Sequence, residues 1–314
     1  MDKILIHIGY HKTASSWLQQ KIFTSESDVF EPLSRKTFGQ STLAELFFRD
    51  GTYMLSPFDD NEKKIKNEID HILSSRQAKK KVFVLSHERL SGNPNSGGFD
   101  AKKIALMLKA IFPDGKVLIL IREQKSFLRS YYFQYLAIGG TFSIEKYLTR
   151  PYDNKIPFFS PNHINYYPLI NEYYNLFGED NVLIIPYELF CSDPGMFLDK
   201  LGRFLDIHLD VELETFSERI NKKENLFLMY RLRCLNIFRK SSSVNNYSFL
   251  RNKYAKRIVD TLIRAGYFLP STWDEKTSEY LYAQIAKFVG NRYVDSNKKV
   301  AQIIDIDLAE YGYY

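Results

Sequence analysis

Apolar and polar residues alternate in blocks through the first two thirds of the chain. Short, continuous apolar runs predict strands at 3–8, 81–86, 116–121 and 182–187. Each run is too short for a buried helix and lacks the polar–apolar alternation of a half-exposed strand. Such runs mark strands covered on both faces of a parallel sheet. Between and after them, apolar residues recur at the helical period, as in Ile65, Ile69, Ile72 and Leu73, or Phe127, Leu128 and Tyr131. Helices are predicted at 15–23, 61–75, 100–112, 124–137, 166–177 and 194–205, with further helices to the end. Strands alternating with helices imply right-handed crossovers. The expectation is an α/β fold, a three-layer sandwich around a central, mostly parallel sheet, with a helical C-terminal part in one domain spanning 1–314. Two stretches, 24–60 and 138–165, carry neither pattern and are long for connections in a compact domain, a length that points to function.

Ligands of open α/β sheets bind beyond the C-terminal ends of the strands, and three predicted strands end in chemistry. The first stops at Gly9 and is followed by His11, Lys12, Thr13, Ala14, Ser15, Ser16 and Trp17. A lysine-bearing loop that opens a helix forms an anion site, because loop amides and helix dipole converge where the lysine adds full charge. It is not the nucleoside-triphosphate loop, which needs Gly, four residues, then Gly-Lys-Ser/Thr. Here the lysine comes three residues after Gly9 and the second glycine is missing. The run at 116–121 is followed by Arg122, with Ser130 eight residues later. An arginine fork and a hydroxyl suit a second phosphate. The run at 81–86 leads into Ser86-His87-Glu88-Arg89-Leu90-Ser91. His87 and Glu88 point to opposite sides if the strand continues through them. One is the candidate proton acceptor and the other orients it or binds substrate. The local pattern favours Glu88, whereas His87 has the better unperturbed pKa. The ordinary alternative is a surface salt bridge between Glu88 and Arg89.

These residues carry a resemblance. Lys12-Thr13-Ala14-Ser15-Ser16-Trp17 resembles the 5′-phosphosulfate loop, Lys-(Ser/Thr/Gly)-Gly-Thr-Thr-Trp, of the sulfotransferases that use 3′-phosphoadenosine 5′-phosphosulfate (PAPS). Ala14 stands where glycine is usual and Ser15 where threonine is usual. Arg122 and Ser130 resemble the 3′-phosphate motif of that family, and Ser86–Ser91 is similar to the Ser-x-Glu-x-Leu-Ser of bacterial members. A weaker match places Arg219, Asn221 and Lys222 in a basic loop that folds over the nucleotide. The resemblance covers roughly residues 1–240. It implies a P-loop-like phosphosulfate loop, PAPS as donor with adenosine 3′,5′-bisphosphate as product, and no metal. It also implies an acceptor hydroxyl on a glycan or glycolipid; the long stretches 24–60 and 138–165 are the candidate walls of the acceptor site. Catalytic roles fall to Lys12 and to Glu88 or His87, and donor binding to residues 11–17, Arg122, Ser130, Arg219, Asn221 and Lys222. Ala14 requires either a negative φ or some backbone strain.

Charge adds one feature. The net charge is +6, yet residues 225–259 hold eight Arg or Lys and no Asp or Glu. Residues 231–257 are therefore a candidate contact for an anionic membrane or an acidic glycan. A nucleic-acid partner is set aside, because the N-terminal motifs specify a small nucleotide. Cys191 and Cys234 fit no zinc spacing and suit a reducing compartment. The six histidines form no ligand cluster, no apolar run is long enough to span a bilayer, and the chain opens with a core strand rather than a leader. The expected location is cytoplasmic. Two rival readings stand beside a sulfotransferase. One is a P-loop-like nucleotide kinase, which would need ATP and Mg²⁺. The other is a non-catalytic binder of anionic glycan or nucleotide, for which Ala14 is the only support.

Overall fold

A computed structural model describes residues 3–24, 26–33, 82–94, 98–149, 159–212, 226–231 and 271–314, with isolated positions between them. In chain order the elements are β1 (Lys3–His7), α1 (Ser15–Lys21), β2 (Phe30–Pro32), β3 (Val82–Ser86), α2 (Ala101–Ile111), β4 (Lys116–Ile121), α3 (Gln124–Ala137) and α4 (Ile144–Thr149). They continue with α5 (Tyr166–Phe177), β5 (Val182–Pro186), α6 (Tyr187–Ser192), α7 (Pro194–Leu205), α8 (Leu226–Arg231), α9 (Ser271–Val289) and α10 (Val294–Ile303). Short 3₁₀ turns occupy Glu88–Ser91, Pro161–Ile164 and Leu308–Tyr311.

The five strands are all parallel and lie in the order β2-β3-β1-β4-β5. β1 is central. Its His7 sits opposite Ser86 of β3 and Leu118 of β4. The chain builds one side of β1 first and then crosses to the other, so the strand order reverses there. The crevice at such a reversal is where α/β sheets hold ligands.

The continuous apolar runs have a period-2 logic inside them, because successive side chains face opposite sides of the sheet. Ile6, Ile8, Val117, Ile119 and Ile121 pack into one core with α2, α3, α5, α9 and α10. Leu5, Leu118 and Leu120 face the other core, built with Trp17 and Leu18 of α1 and with Leu189, Phe197, Leu201 and Leu205 of α6 and α7. The result is the expected three-layer sandwich. Among the described residues no helix is long and apolar enough to cross a membrane.

Three elements differ from expectation. β2 lies inside the 24–60 stretch, paired with β3 from Phe30↔Val82 to Pro32↔Val84. With three residues ending in proline it fits only at an edge. The 138–165 stretch is not irregular throughout, since it holds α4 and the Pro161–Ile164 turn, whose start is capped by Ser160 accepting from the Asn162 amide at 3.3 Å. The fourth predicted strand stops one residue early and α6 starts at Tyr187. Ile65 and Ile69 of the predicted 61–75 helix are helical and buried, while Ile72 and Leu73 lie outside the described residues.

Candidate active site

The loop after β1 is held from three sides. The amides of Ile8 and Tyr10 donate to Leu118 and Leu120 of β4, at 3.0 and 3.1 Å, so the chain runs on beside β4 before turning. The Thr13 hydroxyl donates to the Tyr10 carbonyl at 2.5 Å and closes the turn. Gly9 sits where no side chain fits, since a Cβ there would lie 2.7 Å from His7 Nε2, 2.8 Å from Ser15 Oγ and 2.9 Å from Thr13 Oγ1. His7 is itself fixed, with Nδ1 2.8 Å from Ser86 Oγ, and burial lowers its pKa to about 3. Lys12 and Ala14 both adopt left-handed φ, at 66° and 63°. Of the two conditions Ala14 could meet, the loop therefore takes the strained one, a cost of about 1–2 kcal/mol for an L-residue. The turn buries Thr13 and Ser15 and exposes Lys12 and Ser16. Ser15 Oγ is buried without a hydrogen-bond partner among the described residues. His11 turns inward and is 6 % exposed. Trp17 packs into the core below α1, its ring 5.2 Å from Phe190 and 4.5 Å from Phe216.

Arg122 ties this loop to the second motif. Its Nη1 donates to the Lys12 carbonyl at 2.6 Å, and its Nε donates to Ser126 Oγ at 2.8 Å. The guanidinium lies 4.6 Å from the ring centre of Tyr187. Ser126 is one helical turn before Ser130 on α3, so both hydroxyls share the face that starts at Arg122. The strand end is braced from behind. Tyr166 donates to the Arg122 carbonyl at 2.5 Å, and Glu123 caps α3 by accepting from the Lys125 and Ser126 amides at 2.9 and 2.8 Å. Glu188 accepts from the Glu123 amide at 3.0 Å and from the Tyr313 hydroxyl at 2.8 Å, while burial raises its pKa. Gln124 exchanges amide hydrogen bonds with Asn297 of α10 at 2.7 and 3.2 Å. The chain after residue 271 thus buttresses the start of α3.

The third motif separates its two candidates. The His87 amide donates to the His7 carbonyl at 3.2 Å, which continues the β1–β3 pairing by one residue. Its ring caps the Glu88–Ser91 turn, with Nδ1 accepting from the Arg89 amide at 3.0 Å. A ring nitrogen that accepts from an amide has no proton, so the proton sits on Nε2. Arg89 pairs not with Glu88 but with buried Asp100, at 2.9 Å. The Glu88 carboxylate is half-buried, and among the described residues it makes no hydrogen bond or ion pair.

The structure therefore gathers Lys12, His87, Glu88 and Arg122 at the ends of three adjacent strands. Arg219, Asn221 and Lys222 lie outside the described residues. Among the described residues no cluster of His, Cys, Asp or Glu is arranged to hold a metal ion. Four contributors escaped the sequence reading. Ser126 was signalled by its spacing of four from Arg122 and from Ser130. The Glu123 cap preceded a predicted helix. Ser86 was quoted only as the start of the third motif, and Gln19, whose Nε2 donates to the Ser86 carbonyl at 2.9 Å, carried no signal.

Fold and edge together define an α/β protein that gathers Lys12, Arg122, His87 and Glu88 at its strand ends. A family model described as a sulfotransferase domain matches residues 2–261, and the chain belongs to that family. None of the curated proteins matches it. Among solved structures, a sulfotransferase from Alicyclobacillus acidocaldarius is 17% identical over 82% of this chain and 99% of its own, with a TM-score of 0.47. The sulfotransferase domain from the curacin biosynthetic pathway is 14% identical over 90% and 98%, with a TM-score of 0.42. Mouse sulfotransferase SULT7A1 complexed with PAP is 14% identical over 96% and 89%, with a TM-score of 0.38.

Proposed function

We propose that this sulfotransferase moves a sulfuryl group from PAPS to an acceptor hydroxyl by in-line displacement. The observation that carries this reading is the 2.6 Å bond from Arg122 to the Lys12 carbonyl, which knits two anion-binding motifs from neighbouring strands into one edge. Lys12, the amides of 13–17 and the unpartnered hydroxyl of Ser15 hold the 5′-phosphosulfate. Arg122, Ser126 and Ser130 hold the 3′-phosphate. Trp17 packs near the adenine side. Arg219, Asn221 and Lys222 close over the nucleotide.

Glu88 takes the proton of the acceptor hydroxyl as its oxygen bonds to sulfur and the sulfur–phosphate oxygen bond breaks. His87 is the poorer base in this conformation, because its one unprotonated nitrogen already accepts a hydrogen bond. Its Nε2 proton instead orients the acceptor. Lys12 neutralises the charge that develops on the departing phosphate oxygen, a role in which fixed cations are most effective. No metal enters this scheme.

The acceptor is a glycan or glycolipid. A cavity of about 600 Å³ between α8 and α9, lined by Phe227, Tyr230, Trp273, Tyr280, Arg231 and Lys276, suits the outer residues of an acidic glycan. Aromatic faces stack on sugars and the two cations meet their acids. The basic run at 231–257, most of which lies outside the described residues, is the candidate contact for further acid groups. The two exposed, unpaired cysteines support a reducing, cytoplasmic setting.

The test is transfer of ³⁵S-sulfuryl from labelled PAPS to a panel of neutral and acidic oligosaccharides. Lys12→Ala should lower turnover by roughly 10²–10³, as for loss of one oxyanion donor. Near-wild-type turnover in that variant removes the proposed role of Lys12.

A further inference from the structure

Two imidazoles beside the proposed transfer site each have a buried nitrogen without a partner among the described residues. His11 Nδ1 and His163 Nε2 are both buried without a hydrogen bond among the described residues. The rings are 6 % and 5 % exposed, and their centres are 6.4 Å apart. Buried polar atoms of folded proteins almost always find a partner, and an empty one costs free energy. The ring centres are close enough that one small polar group set between them would lie beside both rings.

The pair is built rather than incidental. Gly98 stands against the far edge of His163, where a Cβ would come within 2.5 Å of Nδ1, and its φ of +66° also favours glycine. Tyr10 meets the same ring edge-on at 5.2 Å, and Phe127 lies 6.3 Å away. His11 is held by Tyr131, edge-on at 5.5 Å. The surrounding walls are thus aromatic and offer little polar competition. Tyr131 links the pair to the third motif, since its hydroxyl feels the charges of Arg89 and Glu88. Both rings stay neutral. Burial lowers the His163 pKa to about 3, and burial, followed by electrostatic coupling to His163, Arg89, His87 and Lys12, holds His11 well below its ordinary value.

A neutral imidazole has one donor and one acceptor nitrogen. A carboxylate could only accept from such a pair and an ammonium could only donate, whereas a hydroxyl does both. We infer that His11 and His163 together bind a second hydroxyl of the acceptor, next to the one that is sulfated, and so select polyhydroxylated acceptors over simple alcohols. This rests on the transfer reading above and deepens it. His11 and His163 are acceptor-binding residues here, with no share in the proton transfer.

The test compares kcat/KM for trans-1,2-cyclohexanediol and methyl glycopyranosides with that for cyclohexanol, following release of adenosine 3′,5′-bisphosphate from PAPS. The wild type should prefer the polyols by roughly tenfold or more, about the value of one to two hydrogen bonds. His163→Phe should erase that preference, His163→Gln should restore part of it, and the bisphosphate Kd should be unchanged in both, which shows that the variants are folded. The inference is overturned by equal turnover of cyclohexanol and the polyols, by a preference that survives in His163→Phe, or by failure to turn over any polyol while the bisphosphate binds. A wild type that does not bind the bisphosphate at all overturns the transfer reading itself, and this inference with it.

Discussion

Replacing Gly9 with alanine tests how the loop after β1 is built. The added methyl would lie 2.7, 2.8 and 2.9 Å from His7 Nε2, Ser15 Oγ and Thr13 Oγ1, closer than any carbon settles against such atoms. Two of the three cannot give way cheaply. His7 is fully buried and anchored on Ser86, and Thr13 is buried and bonded to the Tyr10 carbonyl. Overpacking at a site that cannot yield costs about 1–3 kcal/mol. For a chain of 314 residues, unfolding entropy of about 2.1 cal/mol/K per residue turns 2 kcal/mol into a fall in Tm of about 3 °C. The loop must also shift, so affinity for adenosine 3′,5′-bisphosphate should fall by at least about tenfold. Ser15→Ala removes one of the three obstacles. Because that hydroxyl is buried without a partner among the described residues, its removal alone should be close to neutral for stability. The double variant should then recover about 0.5 kcal/mol or more relative to the sum of the singles, the size expected of groups in contact. Urea denaturation of the four proteins gives the cycle directly. A Gly9→Ala protein as stable as wild type, or a coupling of zero, would refute this account of the loop.

Four other substitutions, at three positions, probe the same edge. Ala14→Gly relieves a left-handed alanine worth about 1–2 kcal/mol, less about 0.4–1 kcal/mol for the freer unfolded chain, so it should melt slightly higher, whereas Ala14→Val should melt lower; the opposite order in calorimetry contradicts the φ of 63°. Glu88→Gln should lower kcat by about 10²–10⁴, the usual worth of a general base, while His87→Gln should act mainly on KM; a reversed pattern in the pH-independent rates makes His87 the base.

The strand ends were readable because β1, β3, β4 and β5 are covered on both faces, and such strands leave continuous apolar runs that stop at Gly9, His87, Arg122 and Pro186. Lys12 and Arg122 could be paired before any coordinates, since each carries its motif within a few residues. His163 could not. It lies more than a hundred residues from His11 and reaches it through the Pro161–Ile164 turn, a contact made by tertiary packing without local periodicity. The edge strand β2 was invisible for a different reason, as three residues ending in Pro32 form no pattern. The bracing of Arg122 by Tyr166, Glu188 and Tyr313 joins residues from separate parts of the chain. Each of them reads alone as an ordinary core or surface position.

The central claim is that the edge formed by Lys12 and Arg122 is a site for PAPS. Isothermal calorimetry with adenosine 3′,5′-bisphosphate, set against ATP with Mg²⁺, tests it most directly. The bisphosphate should bind at least about tenfold more tightly than ATP, and Arg122→Ala should weaken it by about 10- to 10²-fold, the worth of charged hydrogen bonds at 1.5–3 kcal/mol. Tight binding of ATP with Mg²⁺ but not of the bisphosphate, or a bisphosphate affinity unchanged in Arg122→Ala, would contradict the claim.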